Sequence, residues 1–342
     1  MAESNRENYF NLSVSEQAGL LQSLAPIMGR RAEILEKDIW LCQVLQILFH
    51  LPCRKPMAFK GGTSLSKVYK AIDRFSEDID VTVDYRSLVG DAPELELITI
   101  NSQRSKLSDA LKSALTTHVV DELVPALRNA LSAALPNQPT SIEISDDAEK
   151  LWVFYPSAVE NTDVYLLPSI LIEFGGRNST LPQSTLAIAP DIAEHIPQLA
   201  LPVAQITVLS AARTFWEKAT LIHVECHRPS LRPSAERLSR HWYDLARLAD
   251  HEVGKQALED TELLHDVLRI KETFYRSKFS HYDRCTTGGL RLIPDAQLLE
   301  VLRQDYQAML AAQMFYGDTV KFEEIVERLR ILEAAINSLS RK

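Results

Sequence analysis

Apolar residues return at helical spacing through 32–50, where Ile34, Leu35, Ile39, Leu41, Val44, Leu45 and Leu48 share one side of the turn. That predicts a helix, and 13–29 reads the same way. A longer stripe at 104–135 (Leu107, Leu111, Leu115, Val119, Leu123, Leu127, Leu131) predicts helix with a break near Pro125, because proline lacks the amide hydrogen that an interior turn needs. Between these segments a short helix is expected at 64–71, after Gly61 and Gly62, and the period then falls to two over 78–83, which predicts a strand. Further strands are expected at 142–144, 151–155 and 164–174 from their β-branched and aromatic content, giving a small mixed sheet. From about residue 202 the pattern is helical, over 209–224, 234–248, 262–274, 295–313 and 322–339. The expectation is an α/β (α+β) chain. Residues 1–200 would form a domain with a helical start, a glycine turn, a mixed sheet and a helical insertion at about 104–135, and 201–342 a helical domain.

Composition agrees with this reading and narrows the function. A chain of 342 residues, 46% hydrophobic and 24% charged, is long enough for two ordinary globular cores. MAESNRENYFNLS lacks a basic start followed by an apolar stretch, so a cytoplasmic protein is expected. The apolar run 39–51 is interrupted by Gln43 and Gln46 and is too short for a bilayer, so no membrane role is expected. Cys42, Cys53, Cys226 and Cys285 have no paired spacing and read as reduced thiols. A net charge of −9 excludes indiscriminate coating of nucleic acid. Two basic islands stand against that background: Arg54, Lys55, Lys60, Lys67, Lys70 and Arg74, then Arg213, Lys218, Arg228, Arg232, Arg237, Arg240 and Arg247. They suit a focused anionic ligand such as a triphosphate or a nucleic-acid end; solvated helix faces are the other reading.

Candidate chemistry centres on FKGGTSLSKVYKAIDRFSEDIDVTVD. Asp78 and Asp80, two apart on a predicted strand, point to one face. Paired hard carboxylates suit Mg²⁺, which takes one or two of them together with substrate phosphates. An isolated Asp-x-Asp is weak evidence, and the residues upstream strengthen it. Gly61 and Gly62 allow close backbone approach, while Thr63, Ser64 and Ser66 bring hydroxyls to a helix start, where free N–H groups attract phosphate. Lys60 adds charge there, and Arg74 is either a phosphate partner or a cap on the strand. Glu173, within SILIEFGG, is either a third metal carboxylate or a surface-facing strand residue. Together these suit phosphoryl or nucleotidyl transfer by two metal ions.

Other residues carry less. His223, Cys226 and His227 fall short of the ligand number of a closed zinc site. A phosphate on Ser76 would crowd Asp78 with negative charge. Tyr282, Arg284, Gly288 and Gly289 form a polar loop that is a substrate-contact candidate. Trp216, Trp242 and Tyr243 read as core.

FKGGTSLSK followed by RFSEDIDVTV resembles the AbiEii/AbiGii toxin family of nucleotidyltransferases, within the DNA polymerase β-type superfamily. So do Glu36-Lys37-Asp38-Ile39-Trp40, Arg213-Thr214-Phe215-Trp216-Glu217-Lys218, Arg240-His241-Trp242-Tyr243-Asp244-Leu245, and the late Asp305-Tyr306 helix ending near Asn337, leaving 86–160 unmatched. The resemblance implies a polymerase β-like nucleotidyltransferase domain followed by a helical one. It implies metal-binding roles for Asp78 and Asp80, phosphate-loop roles for Gly61, Gly62, Thr63 and Ser64, and catalytic roles for Lys218 and Asp244. Read from the residues alone, Asp244 is in the first place an i, i+4 ion-pair partner of Arg240. The resemblance further implies a toxin of a bacterial toxin–antitoxin or phage-defence pair, with NTP as substrate, tRNA as acceptor and a cognate antitoxin as partner. A protein side chain or small molecule is an alternative acceptor, and a nucleotide-binding regulator without turnover an alternative function.

Overall fold

The computed structural model describes residues 6–90, 92–160, 167–230 and 236–339. Arg232, the segment 164–166 expected as strand, the helix start at 234–235 and the first five residues lie outside them. In chain order the strands are β1 (Glu7–Asn8), β2 (Met57–Lys60), β3 (Ile79–Asp84), β4 (Ser141–Ile144), β5 (Lys150–Phe154), β6 (Ser169–Asn178), β7 (Gln183–Ile188), β8 (Leu199–Ala200) and β9 (Ala204–Leu209). The helices are α1 (Val14–Met28), α2 (Ala32–His50), α3 (Gly61–Lys67), α4 (Tyr85–Leu88), α5 (Asn101–Thr117), α6 (Val124–Ala134), α7 (Ala211–Cys226), α8 (Arg240–Asp250), α9 (Glu252–Glu259), α10 (Thr261–Phe274), α11 (Ala296–Ala311) and α12 (Phe322–Leu339). The chain forms two compact units: Met1–Val68, Ser76–Ala92 and Asp109–Val208 make the first, and Tyr69–Phe75, Pro93–Ser108 and Leu209–Lys342 the second.

The first unit is built on a seven-stranded mixed sheet of order β4-β5-β6-β3-β2-β9-β7. β3 and β6 run parallel, while β2–β3, β4–β5 and β5–β6 are antiparallel. Alternation along the central strands separates the two faces. Ile79, Val81 and Val83 of β3 and Ile170, Ile172 and Phe174 of β6 are buried, whereas Asp80 and Glu173 between them are half-buried. A small mixed sheet was expected; the observed one also includes β2, β7 and β9. β2 is only four residues long, β7 is polar and largely exposed, and β9 runs into a helical pattern without a break in apolar character, so none gives a clear period of two.

α1 begins at a capping box, in which Ser13 Oγ accepts from Glu16 N (3.3 Å) and the Glu16 carboxylate accepts from Ser13 N (2.8 Å). The expected break in 104–135 takes the form of a π-helical turn over His118–Leu123. Pro125 is the second residue of α6, directly after that turn, and the helical backbone runs on through it.

α2 ties loops to the sheet with a run of charged residues. Glu36 accepts from Ser157 Oγ (2.5 Å) and Ala158 N (2.6 Å). Lys37 pairs with Glu77 (2.5 Å) and donates to Leu167 O (3.1 Å). Asp38 pairs with Lys67 and accepts from Asp191 N (2.7 Å). Trp40 stacks on Tyr155 with centroids 4.8 Å apart. Thus the Glu36–Trp40 string is a clamp on the first unit.

The second unit is helical around α7, which buries Phe215, Trp216, Ala219 and Ile222 completely. Trp216 Nε1 donates to Ala257 O (3.1 Å) and Trp242 Nε1 to Leu292 O (3.0 Å), so both indoles are core with their polar edge satisfied. α12 holds the extended 290–293 segment: Asn337 Oδ1 accepts from Leu290 N and its Nδ2 donates to Leu290 O, both at 2.9 Å, while Glu333 accepts from Leu292 N (2.5 Å) and Ile293 N (3.1 Å). Asp305 of α11 accepts from Arg237 N (2.6 Å), Ser239 N (2.7 Å) and Ser239 Oγ, satisfying donors just ahead of α8.

None of the four cysteines forms a disulfide. Among the described residues no helix is long and apolar enough to cross a membrane.

Because three donors converge on one half-buried carboxylate, Asp305→Ala should destabilise the protein by about 2–3 kcal/mol. Chemical denaturation followed by tryptophan fluorescence measures this, and an unchanged midpoint would contradict it.

Candidate active site

On β3, Asp80 stands opposite Lys60 of β2 and opposite Glu173 of β6, and Glu173 in turn stands opposite Lys150 of β5. Directly opposed residues place their side chains on one face of the sheet, about 4.5–5.5 Å apart at Cβ in antiparallel pairs such as β2–β3 and β5–β6. One row across four strands therefore reads Lys60, Asp80, Glu173, Lys150. Lys150 Nζ lies 3.0 Å from Glu173 Oε1. The bond and charge of Glu173 hold the Lys150 pKa up; burial opposes this, and the Asp78 charge adds to it. Asp78 thus lies within electrostatic reach of the same row.

Glycine is required at 61 for two reasons. Its φ is +78°, and a Cβ there would lie 1.9 Å from Asp80 Oδ2. The Asp80 carboxylate occupies the space a side chain would fill. α3 begins at Gly61 itself rather than at 64 and spans only Gly61–Lys67. Ser64 is fully buried and its hydroxyl donates to Gly61 O (2.9 Å), which stiffens the glycine turn from within. Thr63 Oγ1, also buried, donates to Ser76 Oγ (2.9 Å), tying the turn to the stretch that leads into Asp78. Glu77, next to Asp78, is fixed by Lys37. Thus Lys60, Gly61, Gly62, Thr63, Ser64, Asp78, Asp80 and Glu173 all belong to the first unit.

A hard divalent cation fits this donor set. Among the described residues no three His, Cys, Asp or Glu side chains form a ready-made cage. Mg²⁺ needs none, since it combines one or two carboxylates with water and substrate phosphates. Asp78 and Asp80 meet that requirement, and Glu173 stands beside them with Lys150 on its carboxylate.

The remaining candidates, Arg74, Lys218 and Asp244, come together in the second unit. Asp244, on α8, is fully buried. Arg74 Nε donates to Asp244 Oδ1 (2.6 Å) and Nη2 to Oδ2 (2.8 Å), in a two-pronged contact across 170 residues. Lys218 Nζ, on α7, lies 2.8 Å from Asp244 Oδ2. Burial would raise the Asp244 pKa, but Arg74 and Lys218 outweigh it and hold the carboxyl well below its usual range. Burial pushes the Lys218 pKa down, against the pull of Asp244. Arg74 and Lys218 thus converge on one carboxylate. Arg74 Nη1 also donates to Phe75 O (3.0 Å), so its guanidinium is committed to shaping this cluster. The segment around it is stitched in by Phe75 N to Met314 O (2.7 Å) and Tyr316 N to Asp73 O (2.9 Å).

His223 Nδ1 accepts from Arg291 N (2.9 Å), which puts its proton on Nε2, facing His281 O (3.1 Å). Burial pushes its pKa down to about 4, so the ring is a neutral structural hydrogen-bonder with no nitrogen left for a metal. Tyr282 is buried in the second unit. Nothing in the local pattern singles out Lys150, which only strand register reveals, and Lys37 stood out only within the recognised Glu36–Trp40 string, its pairing with Glu77 being visible only in the fold.

Two outcomes follow. Gly61→Ala combines a left-handed φ with a clash on Asp80, so it should cost at least about 1–2 kcal/mol in denaturant unfolding and displace the Asp80 carboxylate in a crystal structure. Because the folded-state pKa of Asp244 is depressed, its pairing contributes fully above about pH 4 and is lost as pH falls below that. In Asp244→Asn the acid limb of stability against pH should flatten, and stability at neutral pH should drop by about 3–5 kcal/mol, since Arg74 and Lys218 stay buried without their partner.

The sequence profile of the family described as "Nucleotidyl transferase AbiEii toxin, Type IV TA system" matches residues 43–328. No curated protein matches the chain. Among solved structures, MenT4, a nucleotidyltransferase toxin from Mycobacterium tuberculosis H37Rv, aligns over 97% of this chain and 100% of its own at 17% identity, with a TM-score of 0.46. With the profile spanning most of its length, the chain belongs to the AbiEii family of nucleotidyltransferase toxins of type IV toxin–antitoxin systems.

Proposed function

We propose that the enzyme transfers a nucleoside monophosphate from an NTP to the 3′ end of tRNA, with Mg²⁺ as its cation and pyrophosphate as the leaving group. The observation that carries this reading is the Asp80 carboxylate seated on Gly61, in register with Glu173 and close downstream of Asp78. Mg²⁺ held by Asp78 and Asp80, with Glu173 as a third carboxylate, would supply the positive charge that stabilises a reacting phosphoryl group. The acceptor hydroxyl forms a new bond to the α-phosphorus, and the bond to the departing pyrophosphate breaks.

The protein's own groups hold the reactants. Gly61 and Gly62 give phosphate oxygens access to backbone amides, with Thr63 and Ser64 fixing the turn and Lys60 adding charge beside Asp80. In the second unit we assign catalytic roles to Lys218 and Asp244 from the family resemblance, with Asp244 holding the Lys218 ammonium and Arg74 bracing Asp244. Nucleotides added at the 3′ end would block aminoacylation and so halt translation, which fits a toxin restrained by a cognate antitoxin and a role in phage defence within the cytoplasm.

Purified protein incubated with Mg²⁺, each α-labelled NTP and either total tRNA or protein extract tests the reading. Label should enter tRNA and fall at least about a hundredfold in Asp78→Ala and Asp80→Ala. Label entering protein, or neither fraction, would overturn the RNA acceptor.

A further inference from the structure

Lys150 lies in the stretch matched by none of the recognised strings, yet it completes the row of charges that runs through Asp80 and Glu173. Its backbone is pinned: Lys150 N donates to Ser145 Oγ (3.0 Å) and Lys150 O accepts from Ser145 N (3.0 Å) within the β4–β5 hairpin. Its side chain is not pinned, being 49% exposed at the end of a four-carbon stem. A pair this exposed contributes little to stability, about 0–1 kcal/mol. Its effect on the neighbouring carboxylates is another matter. With its ammonium 3.0 Å from Glu173 and within the field of Asp78, Lys150 brings positive charge to a row that carries two carboxylates.

We propose that Lys150 is the resident counter-ion of the carboxylate site, holding Glu173 while no divalent cation is bound and giving it up when one binds. This rests on the reading of Asp78 and Asp80 as cation ligands. A monovalent ammonium and a divalent cation compete for one carboxylate, so the site favours ions of higher charge and stays ordered when empty. The displaced ammonium then has phosphate oxygens as its natural new partners. Lys150 is therefore a positioning residue in the unloaded enzyme and a phosphate-binding residue in the loaded one.

Calorimetric titration of Mn²⁺ into the full chain without nucleotide separates this from a structural role. Lys150→Gln should bind Mn²⁺ roughly tenfold more tightly than wild type, whereas loss of a structural contact would weaken binding. Lys150→Arg, which keeps the charge, should stay near wild type, and the gain should vanish in a Glu173→Gln background and shrink as salt rises. With Mn²⁺ saturating, a non-hydrolysable triphosphate should bind several-fold more weakly to Lys150→Gln. Equal or weaker Mn²⁺ binding by Lys150→Gln, alongside loss of binding in Asp80→Asn, overturns the role of Lys150 alone. Absence of Mn²⁺ binding in the wild type, or binding that Asp80→Asn leaves unchanged, sinks the carboxylate reading and this inference with it.

Discussion

The carboxylate of Asp80 fills the volume that a side chain at residue 61 would need, and much of the first unit is arranged to keep it there. β2 must end where it does for Gly61 to reach Asp80, so strand register and glycine turn are one constraint. Ser64 stiffens the turn from inside, Thr63 ties it to Ser76, and Lys37 holds Glu77 from α2. None of these contacts requires a ligand. The position of Asp80 is thus set by contacts within the fold itself.

Both units enclose charge, and they handle it differently. In the first, Lys67 pairs with one oxygen each of Asp38 and Asp191, while Asp191 N donates to the other Asp38 oxygen and Arg30 takes the other Asp191 oxygen. Such a cluster specifies loop positions more than it adds stability. In the second, Arg74 and Lys218 converge on the two oxygens of the fully buried Asp244.

What could be read in advance followed physical rules of different reach. The helices at 32–50 and 322–339 were legible because their apolar stripes repeat over many turns. β7 and β9 were not, since a polar edge strand and a strand that runs straight into a helix both lack a clean alternation. The glycine turn and the Asp pair were visible as a local string, and the structure supplies the reason for Gly61, a contact with a residue on the neighbouring strand. Arg74 was legible as a basic residue but not as the partner of Asp244, for a separation of 170 residues leaves no trace in local pattern. Lys150 was hidden for a related reason: nothing in the order of residues announces which strand will lie beside β6.

That same Arg74–Asp244 pairing has a consequence for how the protein comes into being. Translation proceeds from the N-terminus, so the 69–75 segment leaves the ribosome long before the helices that receive it. Until α7 and α8 have followed, Arg74 has neither carboxylate nor core to join, and the second unit lacks one of its own pieces. A nascent or prematurely terminated chain is therefore incomplete in its second unit, however well the sheet has formed. Assembly of the second unit therefore waits for α7 and α8 to be made, whatever the state of the sheet.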